Sequence, residues 1–441
     1  MNSQERIQKR IERDKEKRAQ RKAEKNAKID DIEKVITSQH YNTALKKCRA
    51  GVMWKGVPQK YCQQAITNMY NTSTQILKGE IPKIKNARTS IRYERGKARE
   101  IIPVQFDDRI TQRVICDDSL MPLIKDTLIY DNVASIKGKG TDFARQEMEK
   151  FLRKAMREYG DEFYVWKFDF KSYFDSIPHS TIQKVLNEYY TDPKMIKLIM
   201  GIVKMYKIPY INKIQDKDER KRELKKLENN ELCGICLGSQ ISQDVALVVP
   251  NKIDHFIKDK CRFKYYIRYM DDGIVLFNDK NTLQQLYNQA KEICKELSLE
   301  FNANKTHVIK ITKGFTFLKV RYKVKEGRLI KTLSKDGIVR MRRKLKKYKK
   351  KVDNGEMTLD DVYNSFQSWI SHSSIAMSYK TVKRMLSLYD EIFDGYKITR
   401  KYFNIINAKG GRKNEVLQSD KWSEFRWTRD NGKYAYYPEP Q

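Results

Sequence analysis

The chain has 441 residues, of which 40% are hydrophobic and 11% aromatic, so it carries enough apolar material for a folded core and is not a disordered charged tail. Its 90 Lys and Arg residues outnumber its 56 Asp and Glu residues, and the formal net charge of +34 favours a polyanionic partner such as nucleic acid. A soluble protein that is merely rich in lysine would carry the same charge, so composition alone does not separate the two interpretations.

Two further features bear on the cellular compartment. No apolar run approaches the roughly 18 residues that a membrane helix needs, and the N-terminal segment lacks the apolar stretch of a signal peptide. Cys233 and Cys236 form a close pair, but no second pair or nearby histidine completes a zinc site. We therefore expect a cytoplasmic protein with reduced thiols and no membrane partner.

The beginning of the chain predicts a basic helical extension. Residues 1–28 carry 11 Lys or Arg and 5 acidic residues, which is typical of a solvated helix or a disordered arm that either grips RNA or serves as a tether. Residues 29–77 show helical periodicity, interrupted by a loop at residues 51–60. The positions expected to be buried are Ile32, Ile36, Tyr41 and Leu45.

The middle of the chain alternates between extended and helical patterns. Residues 89–104 look extended and residues 107–120 look helical. The segment from Glu162 to Phe170, EFYVWKFDF, is rich in aromatic residues and predicts a strand. Residues 213–231 are densely charged and predict an exposed hairpin or loop.

The last third begins with the segment YYIRYMDDGIVLF at residues 265–277 and continues to a strand predicted at residues 314–324. From Ile338 onward, apolar residues repeat every three or four positions and predict three amphipathic helices. Residues 335–351, in the first of these helices, carry ten basic side chains and one acid. The apolar positions are Ile338, Met341, Leu345, Tyr348 and Val352, then Leu359, Val362, Phe366 and Trp369, then Val382, Met385, Tyr389 and Ile392.

Asp271 and Asp272 lie in the middle of the segment YYIRYMDDGIVLF. Two interpretations fit these acids. Alone, Asp-Asp-Gly between apolar runs is typical of a hairpin tip. A second apolar strand, however, ends in another isolated acid, Asp169. Phosphoryl transfer to a nucleic-acid end requires carboxylates that hold two Mg²⁺ ions roughly 3.5–4 Å apart, and Mg²⁺ prefers such oxygen ligands. The acids therefore form either a solvated turn or a metal site.

Two motifs around these acids resemble those of reverse transcriptases. RYMDDGIVLF is similar to their Tyr-x-Asp-Asp motif, and KFDFKSYFDSIPH is similar to their first catalytic motif. Five more blocks resemble the family in the same order, namely GKAREIIPVQFDDRITQ, SIKGKGTDFA, GICLGSQISQ, LSLEFNANKTHVI and GFTFLKVRY. The resemblance covers residues 85–325 and is to bacterial enzymes of the intron and retroelement type, above all those of diversity-generating retroelements and phage defence.

The resemblance implies an α+β fold, a right-hand polymerase whose palm combines an antiparallel sheet with helices. The expected parts are a basic N-terminal helical extension at residues 1–80, fingers and palm at residues 81–325, a helical thumb at residues 326–395 and a tail at residues 396–441.

The resemblance also implies the catalytic residues. Asp169, Asp271 and Asp272 match the family's catalytic acids, and together with the backbone carbonyl of Phe170 they are expected to hold two Mg²⁺ ions, for which Mn²⁺ could substitute. Phe174 falls where the family has a bulky residue against the sugar 2′ position, so deoxynucleotides are the expected substrates; its alternative role is core packing.

Three basic residues match the family's nucleotide site. Lys97 and Arg99 match the fingers residues that hold the incoming triphosphate, and Lys305 matches a palm lysine near the active site. Each of them also suits an ordinary solvated position. Further basic residues are expected to bind nucleic acid: Lys137, Lys139, Arg342, Arg343, Lys346 and Lys347. In the last four, the apolar stripe of the same helix would still pack in a bundle.

Leu237 marks a departure from the family pattern. Intron-type enzymes usually carry Pro-Gln-Gly where this chain has Cys236, Leu237 and Gly238. Leu237 and Gly238 are expected to line the nucleotide site, and the missing amide would otherwise contact the nascent base pair. The resemblance therefore implies low or unusual fidelity.

The expected function is that of an RNA-directed DNA polymerase that makes cDNA from dNTPs on an RNA template. The expected template is a structured non-coding RNA, in antiviral defence or in a retroelement. A non-catalytic RNA-binding or splicing-assisting protein and template-independent DNA synthesis are the alternatives. Tyr434, Tyr436 and Tyr437 in the tail would offer hydroxyls for protein priming. The primer and the oligomeric state stay open.

Overall fold

A computed structural model describes residues 26–27, 29–81, 90–94, 97–397, 428–430 and 433–435. The basic arm before residue 26, Tyr436 and Tyr437 lie outside the described residues. The chain divides into two compact units. The first comprises Met1–Met148 and Trp166–Val308, and the second comprises Glu149–Val165 and Ile309–Gln441.

Short helices open the first unit. They are α1 Ile32–Val35, α2 Ser38–Arg49, α3 Gly56–Gln63 and α4 Ala65–Leu77. The four positions predicted to be buried are confirmed, each with 5% exposure or less. The loop predicted at residues 51–60 is wrong in its second half, where α3 begins. Pro58 lies in the first turn of α3, where the missing N–H has no partner inside the helix.

A hairpin and a helical segment follow. Strands β1 Ser90–Glu94 and β2 Lys97–Ile101 pair antiparallel. They lead into α5 Phe106–Ile115, a π-helical turn at Cys116–Leu120, and α6 Met121–Ile124. The extended and then helical pattern of this part of the sequence is confirmed.

The strands that carry the acids form a four-stranded sheet. They are β3 Tyr164–Phe168, β4 Tyr266–Tyr269, β5 Asp272–Phe277 and β6 His307–Lys310, in the order β4-β5-β3-β6. Residues on both faces of β4 and β5 are buried, which explains why both read as nearly continuous apolar runs.

Helices precede and connect these strands. They are α7 Thr141–Tyr159, α8 Tyr173–Ser176, α9 His179–Tyr189, α10 Pro193–Met205, α11 Ile208–Ile211, α12 Lys217–Glu228, α13 Gln240–Val248, α14 Asn251–His255 and α15 Lys280–Glu296.

Helix α12 corrects the hairpin or loop predicted at residues 213–231. The Asp216 side chain caps the helix by accepting a hydrogen bond from the Glu219 N–H at 2.6 Å. Apart from Asp218, the helix is built from Lys, Arg, Glu and Leu, which are strong helix formers. The dense charge is explained by solvent exposure, because Leu227 is the buried residue of this helix.

The second unit contains a small sheet and a helical bundle. Strands β7 Phe315–Phe317, β8 Val320–Lys325 and β9 Arg328–Leu333 pair antiparallel in that order. The single strand predicted at residues 314–324 is thus two strands, separated by Leu318 and Lys319, both at positive φ.

The bundle consists of α16 Lys335–Asp353, α17 Leu359–Ser373 and α18 Tyr379–Phe393. All three predicted apolar stripes are confirmed, because every one of their residues belongs to the bundle core or packs against it. Strands β10 Thr428–Asp430 and β11 Lys433–Ala435, which includes Tyr434, form a separate antiparallel pair. The predicted α+β class is confirmed.

In the part of the chain that the structure describes, no helix has both the length and the apolar character needed to cross a bilayer.

Candidate active site

Asp271 lies in a tight hairpin turn. Tyr269 at the end of β4 pairs with Asp272 at the start of β5, so Met270 and Asp271 form a two-residue loop. Met270 has a φ of 54°, a conformation that residues with a Cβ rarely adopt. The hairpin tip suggested by the sequence is therefore real, and it presents Asp271 at the end of the sheet.

Asp169 follows the neighbouring strand β3 directly. Its backbone carbonyl accepts a hydrogen bond from the Asn302 N–H at 2.8 Å, and Phe170 pairs with Phe301 in an antiparallel bridge. The segment around residue 301 thus holds the end of β3 in place.

Strands β3 and β5 approach closely because residue 273 is glycine. A Cβ at Gly273 would lie 2.0 Å from the Phe168 ring, so any other residue would push the ring away. Phe168 packs in turn against Trp166, Phe170 and Phe301, at centroid distances of 4.8, 5.8 and 5.1 Å. This aromatic cluster places Asp169 beside the hairpin that carries the other two acids.

The three carboxylates form one electrostatic cluster. Burial, followed by the negative charges of Asp272 and Asp169, raises the pKa of Asp271 to about 6. Burial also raises the pKa of Asp272, against the attraction of Lys167, whose Nζ lies 3.4 Å from its carboxylate. Such mutual repulsion is costly unless cations cover the site.

Lys305 neutralises part of the negative charge of this cluster. Its Nζ donates to both carboxylate oxygens of Asp169 at 2.9 Å. Burial opposes the charge of Lys305, but the hydrogen bond and the attraction to Asp169 outweigh it and raise the pKa of Lys305. The predicted position of Lys305 near the acids therefore fits the structure.

The donor atoms at the cluster are hard carboxylate oxygens, which suit Mg²⁺. Within the described ranges, however, no three His, Cys, Asp or Glu side chains are arranged around a common metal position. Lys305 occupies both oxygens of Asp169 instead. A divalent cation at Asp169 would therefore share these oxygens with the Lys305 ammonium or displace it.

A cavity of about 610 Å³ opens at this cluster, within the range of roughly 300–1,000 Å³ that is usual for small-molecule sites. It brings together six of the residues predicted from the sequence: Asp169, Phe170, Phe174, Leu237, Asp271 and Lys305. Asp175, Tyr206, Lys207 and Tyr210 also line it.

Phe174 is held firmly in the cavity wall. Its carbonyl accepts a hydrogen bond from the Ile235 N–H at 2.8 Å, which ties it to the loop that carries Leu237. Its ring lies edge-to-face with Tyr173 at 5.7 Å, and the Tyr173 hydroxyl donates to the Ala246 carbonyl at 2.6 Å. An aromatic ring fixed in this way can act as a steric barrier.

The other predicted nucleotide-site residues are Gly238, Lys97 and Arg99. Gly238 lines a different cleft, of about 350 Å³, together with Arg109 and Gln240. Lys97 and Arg99 lie in β2, and their side chains are outside the description; their neighbour Ala98 lines the cavity.

The residues predicted to bind nucleic acid differ in their exposure to solvent and in their contacts within the protein. Lys137 is exposed, whereas Lys139 donates to the Tyr130 carbonyl and lies 4.3 Å from the centre of the Tyr130 ring. The other four are exposed side chains on α16, whose buried residues are Met341 and Leu345; they are Arg342, Arg343, Lys346 and Lys347.

Arg268, which the sequence reasoning missed, supports the hairpin turn that carries Asp271. Its side chain is fully buried and binds both oxygens of Asp254, at 2.7 and 2.6 Å. It also donates to the carbonyls of Leu247 at 2.7 Å and Met270 at 2.8 Å. The signal was an arginine inside an apolar strand, because a buried arginine requires an acidic partner.

A family model for reverse transcriptase (RNA-dependent DNA polymerase) matches residues 81–322. Among solved structures, a telomerase from Candida albicans in complex with a TWJ fragment of telomeric RNA is 13% identical, with a TM-score of 0.37, and the match covers 78% of this chain and 66% of that one. Apo telomerase from Candida tropicalis, truncated from its C-terminal domain, is also 13% identical, with a TM-score of 0.36 and 60% coverage of each chain. The chain thus spans less than two thirds of the length of either telomerase. A search of curated proteins found no match.

Proposed function

Because this chain belongs to the reverse transcriptase (RNA-dependent DNA polymerase) family, we propose that it synthesises DNA on an RNA template by adding deoxynucleotides to a primer 3′ end. The observation that carries this proposal is the cavity in which Asp169 and Asp271 lie together with Phe174. Carboxylates for cations and an aromatic barrier for the sugar are what deoxynucleotide transfer requires from a protein.

Reverse transcriptase domains generally use divalent metals. In this chain, Asp169, Asp271 and Asp272 with the carbonyl of Phe170 would hold two Mg²⁺ ions, or Mn²⁺ in their place. Bound there, the ions would activate the primer hydroxyl and neutralise the leaving pyrophosphate. Lys305 would hold the Asp169 carboxylate in place until then, since its Nζ lies 2.9 Å from an Asp169 oxygen.

The remaining residues position the nucleotide and the nucleic acid. Lys97 and Arg99 hold the triphosphate, and Leu237 contacts the nascent base pair. The fingers and palm comprise residues 81–325 and the thumb residues 326–395, between an N-terminal extension at residues 1–80 and a tail at residues 396–441. The exposed basic side chains of α16 contact the backbone of the bound duplex.

The template is a structured non-coding RNA, and the enzyme acts in antiviral defence or in a retroelement as a member of the bacterial intron-type group. The formal charge of +34 supports a nucleic-acid partner. The motif order of the sequence and the departure at Leu237 support the retroelement and defence types within the family.

Primer extension tests the proposal directly. Purified protein with Mg²⁺ and dNTPs should extend a DNA primer on an RNA template, and EDTA should stop it. Extension without any template would instead indicate template-independent synthesis. No incorporation on RNA, on DNA or without template, with tight RNA binding retained, would refute the proposal in favour of a non-catalytic RNA-binding protein. Sequencing the nucleic acid that co-purifies with the protein would identify the template.

Phe174→Val should weaken the discrimination against ribonucleotides, because a smaller side chain leaves room for the 2′-hydroxyl. We expect the ratio of kcat/KM for dNTP over rNTP to fall by about 10–200-fold, the range for steric discrimination of small groups. Phe174→Tyr, which keeps the ring, is the matched control and should keep the ratio. An unchanged ratio in Phe174→Val would assign Phe174 to packing alone.

Leu237→Gln should raise fidelity, because it restores a side-chain amide beside the nascent base pair. One hydrogen bond contributes about 0.5–1.5 kcal/mol, so misincorporation on a defined RNA template should fall by roughly 2–10-fold. Leu237→Met, of similar volume but without an amide, controls for a change of shape. Equal error rates in the wild type and both variants would show that Leu237 does not determine fidelity.

A further inference from the structure

Lys207 belongs to no motif of the sequence, yet it lines the same cavity as Asp169 and Asp271. It lies between the end of α10 at Met205 and the start of α11 at Ile208. Its N–H donates to the Lys204 carbonyl at 2.9 Å. Its own carbonyl accepts from the Tyr210 N–H at 3.0 Å, so the backbone of Lys207 is fixed on both sides.

The ammonium group of Lys207 is partly buried. No side chain or carbonyl of the described residues forms an ion pair or a hydrogen bond with it. Burial lowers its pKa, and Asp175 is close enough for electrostatic attraction only. Gly234 leaves room for the group, because a Cβ there would lie 2.5 Å from the Lys207 Nζ.

Lys305, the other lysine that lines the cavity, is in a different situation. It is bound to both oxygens of Asp169 at 2.9 Å, whereas the partly buried Lys207 ammonium forms no such bond within the described residues. Burying an unpaired charge costs free energy, and groups held in this way are concentrated at functional sites. An anionic group bound in this cavity would compensate the Lys207 ammonium.

We propose that Lys207 binds a phosphate group of the incoming deoxynucleoside triphosphate, an inference that rests on the proposed function. The triphosphate is the anionic substrate that has to reach Asp169 and Asp271 through this cavity. An ammonium group donates charge-assisted hydrogen bonds to phosphate oxygens as a compact point charge. Lys207 would thus add a contact from the α10–α11 junction to those of Lys97 and Arg99 in β2.

Lys207→Gln tests the contact, since it removes the charge at similar length. We expect the KM for dNTP to rise about tenfold, the effect of one charge-assisted hydrogen bond, with kcat within about twofold. Lys207→Arg, which keeps the charge, should restore a KM near that of the wild type. The ratio of kcat/KM for dNTP over rNTP should not change in Lys207→Gln, because both substrates carry the same triphosphate.

Lys204→Gln is the matched control. Lys204 lies in the last turn of α10, its pKa is likewise lowered by burial, and its Nζ donates to the Glu228 carbonyl at 2.8 Å. It does not line the cavity, so its loss should leave the KM unchanged. Equilibrium titration of each protein with dTTP, in the presence of a primer–template and Ca²⁺, measures binding without turnover.

An unchanged KM in Lys207→Gln would overturn the inference, as would an equal change in Lys204→Gln or a loss of affinity for primer–template in place of dNTP. If the wild-type protein incorporates no nucleotide, the proposed function fails separately. The dTTP titration then still decides about Lys207: weaker binding by Lys207→Gln supports the contact, and equal binding or none by the wild type refutes it.

Discussion

Asp271→Asn should abolish DNA synthesis by a folded protein. The substitution keeps the size of the side chain but removes one of the carboxylate charges proposed to hold the catalytic cations. Metal ions contribute several kcal/mol of transition-state stabilisation, so the rate of single-nucleotide incorporation with Mg²⁺ should fall by about 10³-fold or more. Rapid-quench measurement of one addition to a primer on an RNA template gives this rate.

The same variant should be more stable than the wild type in the absence of metal. The pKa of Asp271 rises from 3.8 to about 6 on folding, first through burial and then through Asp272 and Asp169. A raised pKa means that the ionised group opposes folding, and this cost grows as the pH rises from about 4 to 6. We therefore expect a higher Tm for Asp271→Asn at pH 7.5 and a difference that shrinks towards pH 4.

Asp118→Asn provides the matched control for both effects. Burial also raises the pKa of Asp118, so this variant should gain stability too, but Asp118 does not line the cavity and activity should persist. Full activity in Asp271→Asn would contradict the metal site. If Asp271→Asn has both a lower Tm and no activity, unfolding would explain the loss of activity.

The strands of the site were predictable because buried strands have a strong signature. The segment predicted as Glu162 to Phe170 folds as Tyr164–Phe168, and the two acids of the later segment lie at a hairpin turn. The helices α16, α17 and α18 were predictable for a similar reason, because an apolar stripe at helical spacing is typical of an amphipathic helix.

Other features depend on three-dimensional arrangement and leave little trace in the sequence. Dense charge is typical of loops as well as of solvated helices, so the charge of α12 does not reveal the helix, although its residues favour one. The partner of Lys305 is 136 residues away in sequence, and local patterns do not reveal such pairs. Lys207 looks like any other lysine in a chain with 90 basic residues; only the cavity distinguishes it.

Arg268→Met should cause a large loss of stability and of activity. Arg268 and Asp254 are both fully buried, and the Tyr266 hydroxyl also donates to Asp254 at 2.5 Å. Removing the guanidinium leaves a buried carboxylate without its counter-charge, which costs about 3–5 kcal/mol. Urea denaturation should show this loss. Lys331→Met, which breaks a partly exposed ion pair with Glu149, should cost no more than about 1 kcal/mol.

A double variant separates the role of Arg268 in stability from its role in positioning the turn. Arg268→Met with Asp254→Asn removes both charges and keeps an acceptor for Tyr266, so part of the lost stability should return. Activity should not return, because the carbonyl of Met270 still lacks the donor that Arg268 supplies at 2.8 Å. Met270 is held at a φ of 54°, and strain of this kind persists only where neighbouring groups enforce it. Stability and activity that recover together would mean that Arg268 serves folding alone; recovery of stability without activity would mean that the buried ion pair holds the turn that presents Asp271.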